Sequence, residues 1–287
     1  MFRWASAFLV FFISVAAASA QTQIPPDSRL QSIIAKKSIR IAYRTDAAPF
    51  AFANDKNEAT GYSIDLCQLV TSSIARQFAL QDLQIEWVPV TVQTRFSAVS
   101  SDKADMECGS STVTLGRMKE VDFSNIIFVE STGVVVERAS NFKNFADMTG
   151  KKIAVISGTT NERAVREQSL KDGLNITLVT VNSRDDGVAA LEAGKVDGYA
   201  SDKLLLVGNQ MKNAAAYVML PDDLSIESYA IALPRGDWAL RLAVNTGLAQ
   251  IYRSGQVVTV FKQWFDQIGL QPGVLMRAAV ALGALPN

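Results

Sequence analysis

Alternation of short β-forming runs with helical runs is the feature that most constrains the fold of this chain. Strands are predicted at residues 39–43, 85–90, 104–108, 152–156, 176–181 and 198–200. Helices are predicted from residue 61 and at 96–101, 160–170, 186–193, 238–253 and 256–264. A β–α–β rhythm predicts parallel sheets covered by helices. We therefore expect an α/β protein with two sheets.

Two longer extended runs flank the second set of β–α–β units, at Ile126–Glu137 and Ser228–Leu233. We interpret them as strands that cross between two lobes, which makes the second lobe an insertion into the first. The expected organisation is two α/β lobes joined by two hinge strands. Predicted boundaries are 21–130 for the first part of lobe 1, 131–229 for lobe 2, and 230–287 for the return to lobe 1 with a C-terminal tail.

The first twenty residues have the pattern of a secretory signal peptide. Arg3 gives a positive start, a short apolar run follows at 8–13, and Ala18-Ser19-Ala20 fits the small-x-small cleavage pattern. The apolar run is too short to span a bilayer comfortably. We expect cleavage after Ala20 and a periplasmic location.

Composition excludes several function classes. The chain has no histidine, so imidazole base catalysis and histidine metal ligation are excluded. Lys and Arg number 28, as do Asp and Glu, so no net charge favours nucleic acid as a partner. We expect no cofactor, no metal and a monomer.

The segment Gly61-Tyr62-Ser63-Ile64-Asp65 gives the first specific resemblance. It is similar to the signature of bacterial extracellular solute-binding proteins of the polar amino-acid class, family 3, in which Gly-aromatic-Asp-x-Asp precedes a helix. Ser63 replaces the first Asp, as in the branch of that family that binds glutamate and aspartate. We read Ser63 as the N-cap of the helix, because its oxygen can accept from a free amide. The resemblance spans about Leu30 to Ile268 and implies a two-lobed periplasmic binding protein fold.

Further motifs of the resemblance imply a clamp for the ligand's α-amino and α-carboxyl groups. Ser110, Thr112 and Arg117 follow a predicted strand and are implied to bind the α-carboxylate, for which a guanidinium fork is suited. Thr159 and Thr160, at a predicted helix N-terminus, are implied to bind it from the other lobe. Asp202 is implied to pair with the α-ammonium.

Three arginines resemble the side-chain pocket of the glutamate and aspartate binders: Arg44, Arg95 and Arg184. Val92 stands where those proteins carry serine, and Arg184 where they carry histidine. Three guanidinium groups in one closed cleft need anionic partners. A ligand carboxylate would supply one, but Asp46, Asp185 and Asp186 are internal candidates, so a neutral polar ligand stays open.

The two cysteines, Cys67 and Cys108, leave two possibilities open. An oxidising compartment permits a disulfide between them, whereas buried free thiols are also common.

The function expected from the resemblance is reversible capture of glutamate or aspartate between closing lobes, followed by docking on the permease subunits of an ABC importer. Two alternatives remain: a binder of a neutral polar amino acid, and an enzyme like the cyclohexadienyl dehydratases, which share this fold. An enzyme would need an acid or base aimed at a reacting atom. The candidate residues are mostly arginines and hydroxyls, which favours binding.

Overall fold

The structure is a computed structural model that describes residues 23–212 and 215–286. The predicted signal peptide at 1–20 lies outside these ranges.

Lobe 1, the part of the chain built on the first sheet, begins with a helix and ends its first half on a long strand. Its elements are α1 (Arg29–Lys36), β1 (Ser38–Arg44), β2 (Asp46–Ala47), β3 (Ala51–Ala53), β4 (Ala59–Thr60), α2 (Tyr62–Gln77), β5 (Gln84–Val90), α3 (Arg95–Ser100), β6 (Met106–Glu107) and β7 (Val121–Glu130). A 3-10 turn at Arg117–Lys119 precedes β7.

Lobe 2, the part built on the second sheet, follows without interruption. Its elements are β8 (Thr132–Glu137), β9 (Lys152–Ile156), α4 (Thr160–Asp172), β10 (Thr177–Val181), α5 (Arg184–Glu192), β11 (Gly198–Asp202), α6 (Lys203–Lys212) and β12 (Tyr217–Met219). The chain then returns to lobe 1 through β13 (Glu227–Pro234), α7 (Trp238–Arg253), α8 (Gln256–Phe265) and α9 (Val274–Gly283).

The two large sheets have corresponding strand orders. The order is β5-β1-β6-β13-β7 in lobe 1 and β10-β9-β11-β8-β12 in lobe 2. In each sheet three neighbouring strands pair in parallel, and one strand, β13 in lobe 1 and β8 in lobe 2, runs antiparallel to both of its neighbours. The expected two-lobed α/β fold is confirmed, and the ligand-binding edge of such sheets is the carboxyl end of the parallel strands.

The crossings between the lobes are short. Strand β7 ends at Glu130 and β8 begins at Thr132, so the predicted single run at 126–137 is two strands separated by Ser131. Strand β13 pairs antiparallel with β7, and Glu227 is the partner of Glu130 in that register. The lobe boundaries predicted from the sequence, at 130/131 and 229/230, remain predictions.

Helix α2 differs from its sequence-based description at its first turn. Gly61 has a φ of 134°, and a Cβ there would lie 2.2 Å from the Phe50 carbonyl oxygen, so only glycine fits. Ser63 is not the N-cap: it lies inside the helix, is fully buried, and donates its hydroxyl proton to the Gly109 carbonyl at 2.8 Å. This bond ties α2 to the loop that carries Ser110 and Thr112.

A disulfide makes the second connection between α2 and that loop. Cys67 and Cys108 are bridged, with their Cα atoms 6.5 Å apart and a sequence separation of 41. Both cysteines are fully buried in the lobe 1 core. The loop that follows β6 is therefore fixed at its base by a covalent bond.

Helix α1, strand β3 and helix α9 are elements of lobe 1 that were not predicted. Helix α1 is capped by Ser28, and the region at 50–57, read as a loop, contributes β3 to a small sheet of order β2-β3-β4. The tail carries α9, whose Met276 is buried in the lobe 1 core. Within the described ranges no helix combines the length and apolarity that a membrane crossing needs.

Candidate functional site

The residues singled out from the sequence lie at the carboxyl ends of strands in both lobes. Strand β1 ends at Arg44, α3 begins at Arg95 after β5, and the loop after β6 carries Ser110, Thr112 and Arg117. In lobe 2, Thr159 and Thr160 follow β9, Arg184 follows β10, and Asp202 ends β11.

Direct contacts bring the two sets of strand ends together. The Thr112 and Thr160 hydroxyl oxygens are 3.5 Å apart, and Gln93 Nε2 donates to the Asn182 carbonyl at 3.2 Å. Lobe 1 supplies one residue of each pair and lobe 2 the other, so the lobes are closed on each other at this edge.

Arg95 is a buried cation with almost no hydrogen-bond partners among the described residues. It is 3% exposed, its Nη1 reaches the Ser110 carbonyl only at 3.5 Å, and its buried Nε has no hydrogen-bond partner among the described residues. Burial lowers the pKa of Arg95 to about 9, with the nearby Arg117 charge lowering it further and Glu107 opposing the shift. It therefore remains charged at neutral pH, without an ion-pair partner in the part of the chain described.

Arg44 and Arg184 have a carboxylate between them. Arg44 Nε donates to Asp46 Oδ1 at 2.9 Å, and Arg44 is 4% exposed. Burial works to raise the pKa of Asp46, but the Arg44 charge and hydrogen bond and the Arg184 charge outweigh it, so the pKa is lowered. Burial lowers the pKa of Arg184, while Tyr199 and Asp46 oppose that shift. Asp46 thus supplies part of the internal compensation, whereas Asp185 and Asp186 are exposed.

Arg117 and Arg95 both lie over the same aromatic ring, Phe96. The guanidinium carbons of Arg95 and Arg117 are 4.8 and 5.1 Å from the centroid of the Phe96 ring. The negative faces of the ring stabilise both cations, which would otherwise repel each other. Arg117 Nη1 also donates to the Thr112 carbonyl at 2.7 Å. Burial lowers the pKa of Arg117, and Glu227 and Asp202 act in the opposite direction.

A buried hydroxyl and a buried carboxyl lie beside these arginines. Ser110 is 4% exposed, and its hydroxyl has no hydrogen-bond partner among the described residues. Glu107 is fully buried; burial raises its pKa, and the charges of Arg95, Arg44 and Arg117 pull it back. Sequence reasoning did not select Glu107, which reads as the last residue of a short strand.

Asp202 is held from within lobe 2. Asn161 Nδ2 donates to Asp202 Oδ1 and to Thr132 Oγ1, both at 2.8 Å. Burial raises the pKa of Asp202 to about 6, the Glu227 charge adds to the rise, and the Asn161 hydrogen bond opposes it. An amide donor on one oxygen leaves lone pairs of the carboxylate for a cationic ligand group.

The Thr159 hydroxyl is used within lobe 2 to cap a helix. Thr159 Oγ1 caps α4, accepting from the Glu162 amide at 3.2 Å and donating to the Ile156 carbonyl at 2.7 Å. Its hydroxyl is therefore engaged in local structure. The free first-turn amides of α4 remain suited to an anion.

Glu227, like Glu107, is a residue of this site that sequence reasoning missed. It is 1% exposed and accepts from Thr112 and Thr160 at Oε2, at 2.6 and 2.7 Å. A single acid opening an otherwise apolar strand was the only sequence signal. Its partners come from distant segments, so no local pattern indicates them.

Comparisons with known proteins identify solute-binding proteins as relatives of this chain. The sequence profile of the bacterial extracellular solute-binding proteins, family 3, matches residues 39–267. A glutamate/aspartate import solute-binding protein of Salmonella typhimurium is 28% identical over 91% of this chain and 87% of its own. An L-glutamate/L-aspartate-binding protein of Pseudomonas aeruginosa is 29% identical over 83% of this chain and 80% of its own.

Solved structures show the same architecture, and one of them is described with glutamine bound. A mutant of ArgBP from T. maritima matches with a TM-score of 0.73 at 24% identity, covering 83% of this chain and 99% of that one. An ancestral arginine-binding protein bound to glutamine matches with a TM-score of 0.71 at 24% identity, covering 80% and 98%. An ancestral amino acid-binding protein described as a precursor of cyclohexadienyl dehydratase gives 0.71 at 25% identity, covering 83% and 100%.

Proposed function

This chain belongs to family 3 of the bacterial extracellular solute-binding proteins, and on that premise we propose that it captures glutamate or aspartate between its two lobes. The family membership also supports delivery of the ligand to the permease subunits of an amino-acid ABC importer. A periplasmic location and action as a monomer belong to the same proposal.

The state of Arg95 is the observation that carries the acidic ligand. A buried guanidinium without an anion costs several kcal/mol relative to its hydrated state. Arg44 and Arg184 have Asp46 as a partner, but no described carboxylate forms an ion pair with Arg95, and its Nε and the adjacent Ser110 hydroxyl are unpartnered. A carboxylate on the ligand side chain would satisfy this cation.

The remaining roles follow from charge and position. Arg117, with the Ser110 hydroxyl and the first amides of α4, is assigned to the α-carboxylate. Asp202 is assigned to the α-ammonium, because it is a buried carboxylate fixed on one side by Asn161. The ligand would then bridge a cationic wall in lobe 1 and an anionic residue in lobe 2, which links binding to closure.

Calorimetric titration of the protein without residues 1–20 tests the proposal. The protein is unfolded and refolded to remove bound ligand, then titrated with each of the twenty amino acids. We expect glutamate or aspartate to bind best, and glutamate to bind more tightly than glutamine by at least about 1.5–3 kcal/mol, the scale of a hydrogen bond to a charged group. Equal affinities for glutamate and glutamine would make the protein a general polar amino-acid binder, and tightest binding of arginine would overturn the acidic pocket.

An enzyme of the dehydratase type remains the rival function. Asp202, with its pKa raised to about 6, has the chemical character of a general acid. Incubation with a cyclohexadienyl substrate separates the two, because a binding protein leaves that compound unchanged and an enzyme converts it. Loss of a cyclohexadienyl substrate, followed by ultraviolet absorbance, would favour the rival.

A further inference from the structure

Glu227 has no role in the proposed function, although it lies in the middle of the site. It is the first residue of β13, the strand by which the chain returns from lobe 2 to lobe 1. Its carboxylate accepts hydrogen bonds from four hydroxyls: Thr112 at 2.6 Å, Thr160 at 2.7 Å, Ser225 at 2.6 Å and Thr132 at 3.3 Å. Lobe 1, lobe 2 and the hinge therefore all contribute donors to one buried acid.

Counting protons on these hydroxyls changes what the site can offer a ligand. A threonine hydroxyl has a single proton and two lone pairs. Thr112 and Thr160 both direct that proton to Glu227 Oε2, at distances typical of charge-assisted bonds. Toward the cleft each hydroxyl can then present lone pairs only. Such oxygens can accept from an ammonium group but cannot donate to a carboxylate.

We propose that Glu227 is a positioning residue that turns the Thr112 and Thr160 hydroxyls into acceptors and thereby makes the cleft require the ligand's α-ammonium. This inference rests on the proposed function and reverses, for these two hydroxyls, the carboxylate role that the family resemblance implies. An α-ammonium has three N–H donors, and Asp202 with the two threonine oxygens matches that number.

The surroundings of Glu227 are consistent with an acceptor site. Asp202 is near enough for the Glu227 charge to raise its pKa, and Arg117 is the facing cation. Two carboxylates in one buried place repel each other, and a ligand cation placed between them relieves that repulsion. The site therefore favours a positive group in addition to accepting its protons.

Substitution of Glu227 by Met removes the shared acceptor with little change in size. A methionine thioether is only a weak acceptor, whereas glutamine could keep an oxygen at the Oε2 position. The Thr112 and Thr160 protons then lose their acceptor and can turn toward a ligand carboxylate. The same substitution at Glu130 is a matched control, because Glu130 is the partner of Glu227 across the hinge and its carboxyl accepts from the Ser131 amide.

The test compares glutamate with glutarate, a dicarboxylate of the same length that lacks the α-ammonium. We expect wild type to bind glutamate at least 100-fold more tightly than glutarate. Glu227→Met should reduce that ratio at least tenfold, with glutarate bound as tightly as before or more so, and Glu130→Met should keep the ratio within threefold. An unchanged ratio in Glu227→Met would overturn the inference.

Thr112→Val and Thr160→Val give an independent readout, which also decides the inference if Glu227→Met fails to fold. Hydroxyls that accept from the ammonium matter for glutamate alone, so we expect each valine variant to lose at least fivefold for glutamate and less than twofold for glutarate. Hydroxyls that donate to a carboxylate would instead weaken both ligands. Failure of the proposed function is recognised separately, because wild type would then prefer a ligand other than an acidic amino acid. If that ligand is another amino acid, it and its deaminated analogue replace glutamate and glutarate in the test. A wild type that binds no ammonium compound overturns the inference as well.

Discussion

The two lobes have corresponding strand orders but bring different sets of charges to the cleft. Lobe 1 contributes Arg44, Arg95 and Arg117, and its groups without a hydrogen-bond partner among the described residues include Arg95 Nε, the Ser110 hydroxyl and the buried oxygens of Glu107. Lobe 2 contributes Arg184, whose charge Asp46 offsets, and Asp202, which already accepts from Asn161. The difference indicates that lobe 1 carries the unmet demand for an anion, while lobe 2 completes the site when it closes.

The apolar cores of the two lobes also differ, in the size of their largest cluster. Lobe 1 has a large apolar cluster that includes α2, α7, α8 and the disulfide, together with two small clusters, whereas lobe 2 has two clusters of intermediate size. Larger contiguous cores bury more apolar surface per residue. Lobe 1 is thus the firmer support, which suits a wall that must keep like charges close together.

Removing one charge from each wall is the strongest test of this division. If Arg117 and Asp202 grip opposite ends of one α-amino acid, Arg117→Ala and Asp202→Ala should each weaken glutamate binding by about 2–5 kcal/mol, the range for truncating one partner of a buried charge pair. Calorimetric titration measures the loss. Arg163→Ala is the control, because that side chain is 60% exposed; two clamp variants that bind within twofold of wild type would refute the assignment.

Breaking the disulfide tests whether the firmness of lobe 1 depends on it. Replacing Cys67 and Cys108 by Ala should lower the free energy of unfolding by about 3–4 kcal/mol, given a loop of 41 residues. Beyond residue 20 the tryptophans are Trp87, Trp238 and Trp264, all in lobe 1 elements, so their fluorescence during urea unfolding follows that lobe. A transition unchanged by the double substitution would show that the bridge adds no stability.

Comparing a cation of each lobe sharpens the assignment of the side-chain pocket. Arg95→Met should reduce the preference for glutamate over glutamine by about 1.5–3 kcal/mol, because Arg95 has no described ion-pair partner. Arg184→Met should reduce it less, because Asp46 already faces Arg184. Titrating both variants with both amino acids gives the two differences; a larger loss in Arg184→Met would move the specificity to lobe 2.

The smallest effect expected is a dependence of affinity on pH. The pKa of Asp202 is raised to about 6 in the ligand-free protein, so the carboxylate gains a proton as pH falls through 6 and loses its attraction for an ammonium. Glutamate affinity should fall by up to about tenfold between pH 6.5 and 5, or ~1.4 kcal/mol. Titration across that range measures the slope.

Asp202→Asn is the matched variant for that slope. We expect its weaker affinity to stay flat from pH 6.5 to 5, because the titrating group is absent. The contribution of Asp202 to folding has the opposite sign: a raised pKa stabilises the folded state at low pH, and that stability is lost as pH rises through about 6. Equal slopes in both proteins would assign the pH dependence to another group.

The sequence predicted the α/β rhythm because strands and helices follow local periodicity. It missed α1, β2–β4, α6, β12 and α9, and it misread Ser63, whose partner is the Gly109 carbonyl 46 residues away. Hydroxyl residues near a helix start favour the N-cap reading, but burial against another loop decides the geometry here.

For the site, motif resemblance placed nine residues on facing strand ends, and their roles remain proposals. What sequence could not supply is the pairing among them. Asp46 lies two residues from Arg44 and was a foreseeable partner, whereas Glu227 receives protons from residues 112, 132, 160 and 225. Such a convergence exists only after both crossings between the lobes are made.

The order of the strands along the chain has a consequence for how the protein is made. The lobe 2 sheet uses only residues 132–219, whereas the lobe 1 sheet needs β13, at 227–234, between β6 and β7. During synthesis, lobe 2 can fold as soon as its residues emerge, whereas the lobe 1 sheet still lacks the strand between β6 and β7. Cys67 and Cys108 both precede lobe 2, so their bond can form in the incomplete lobe 1 and hold α2 against β6 until the last strand arrives.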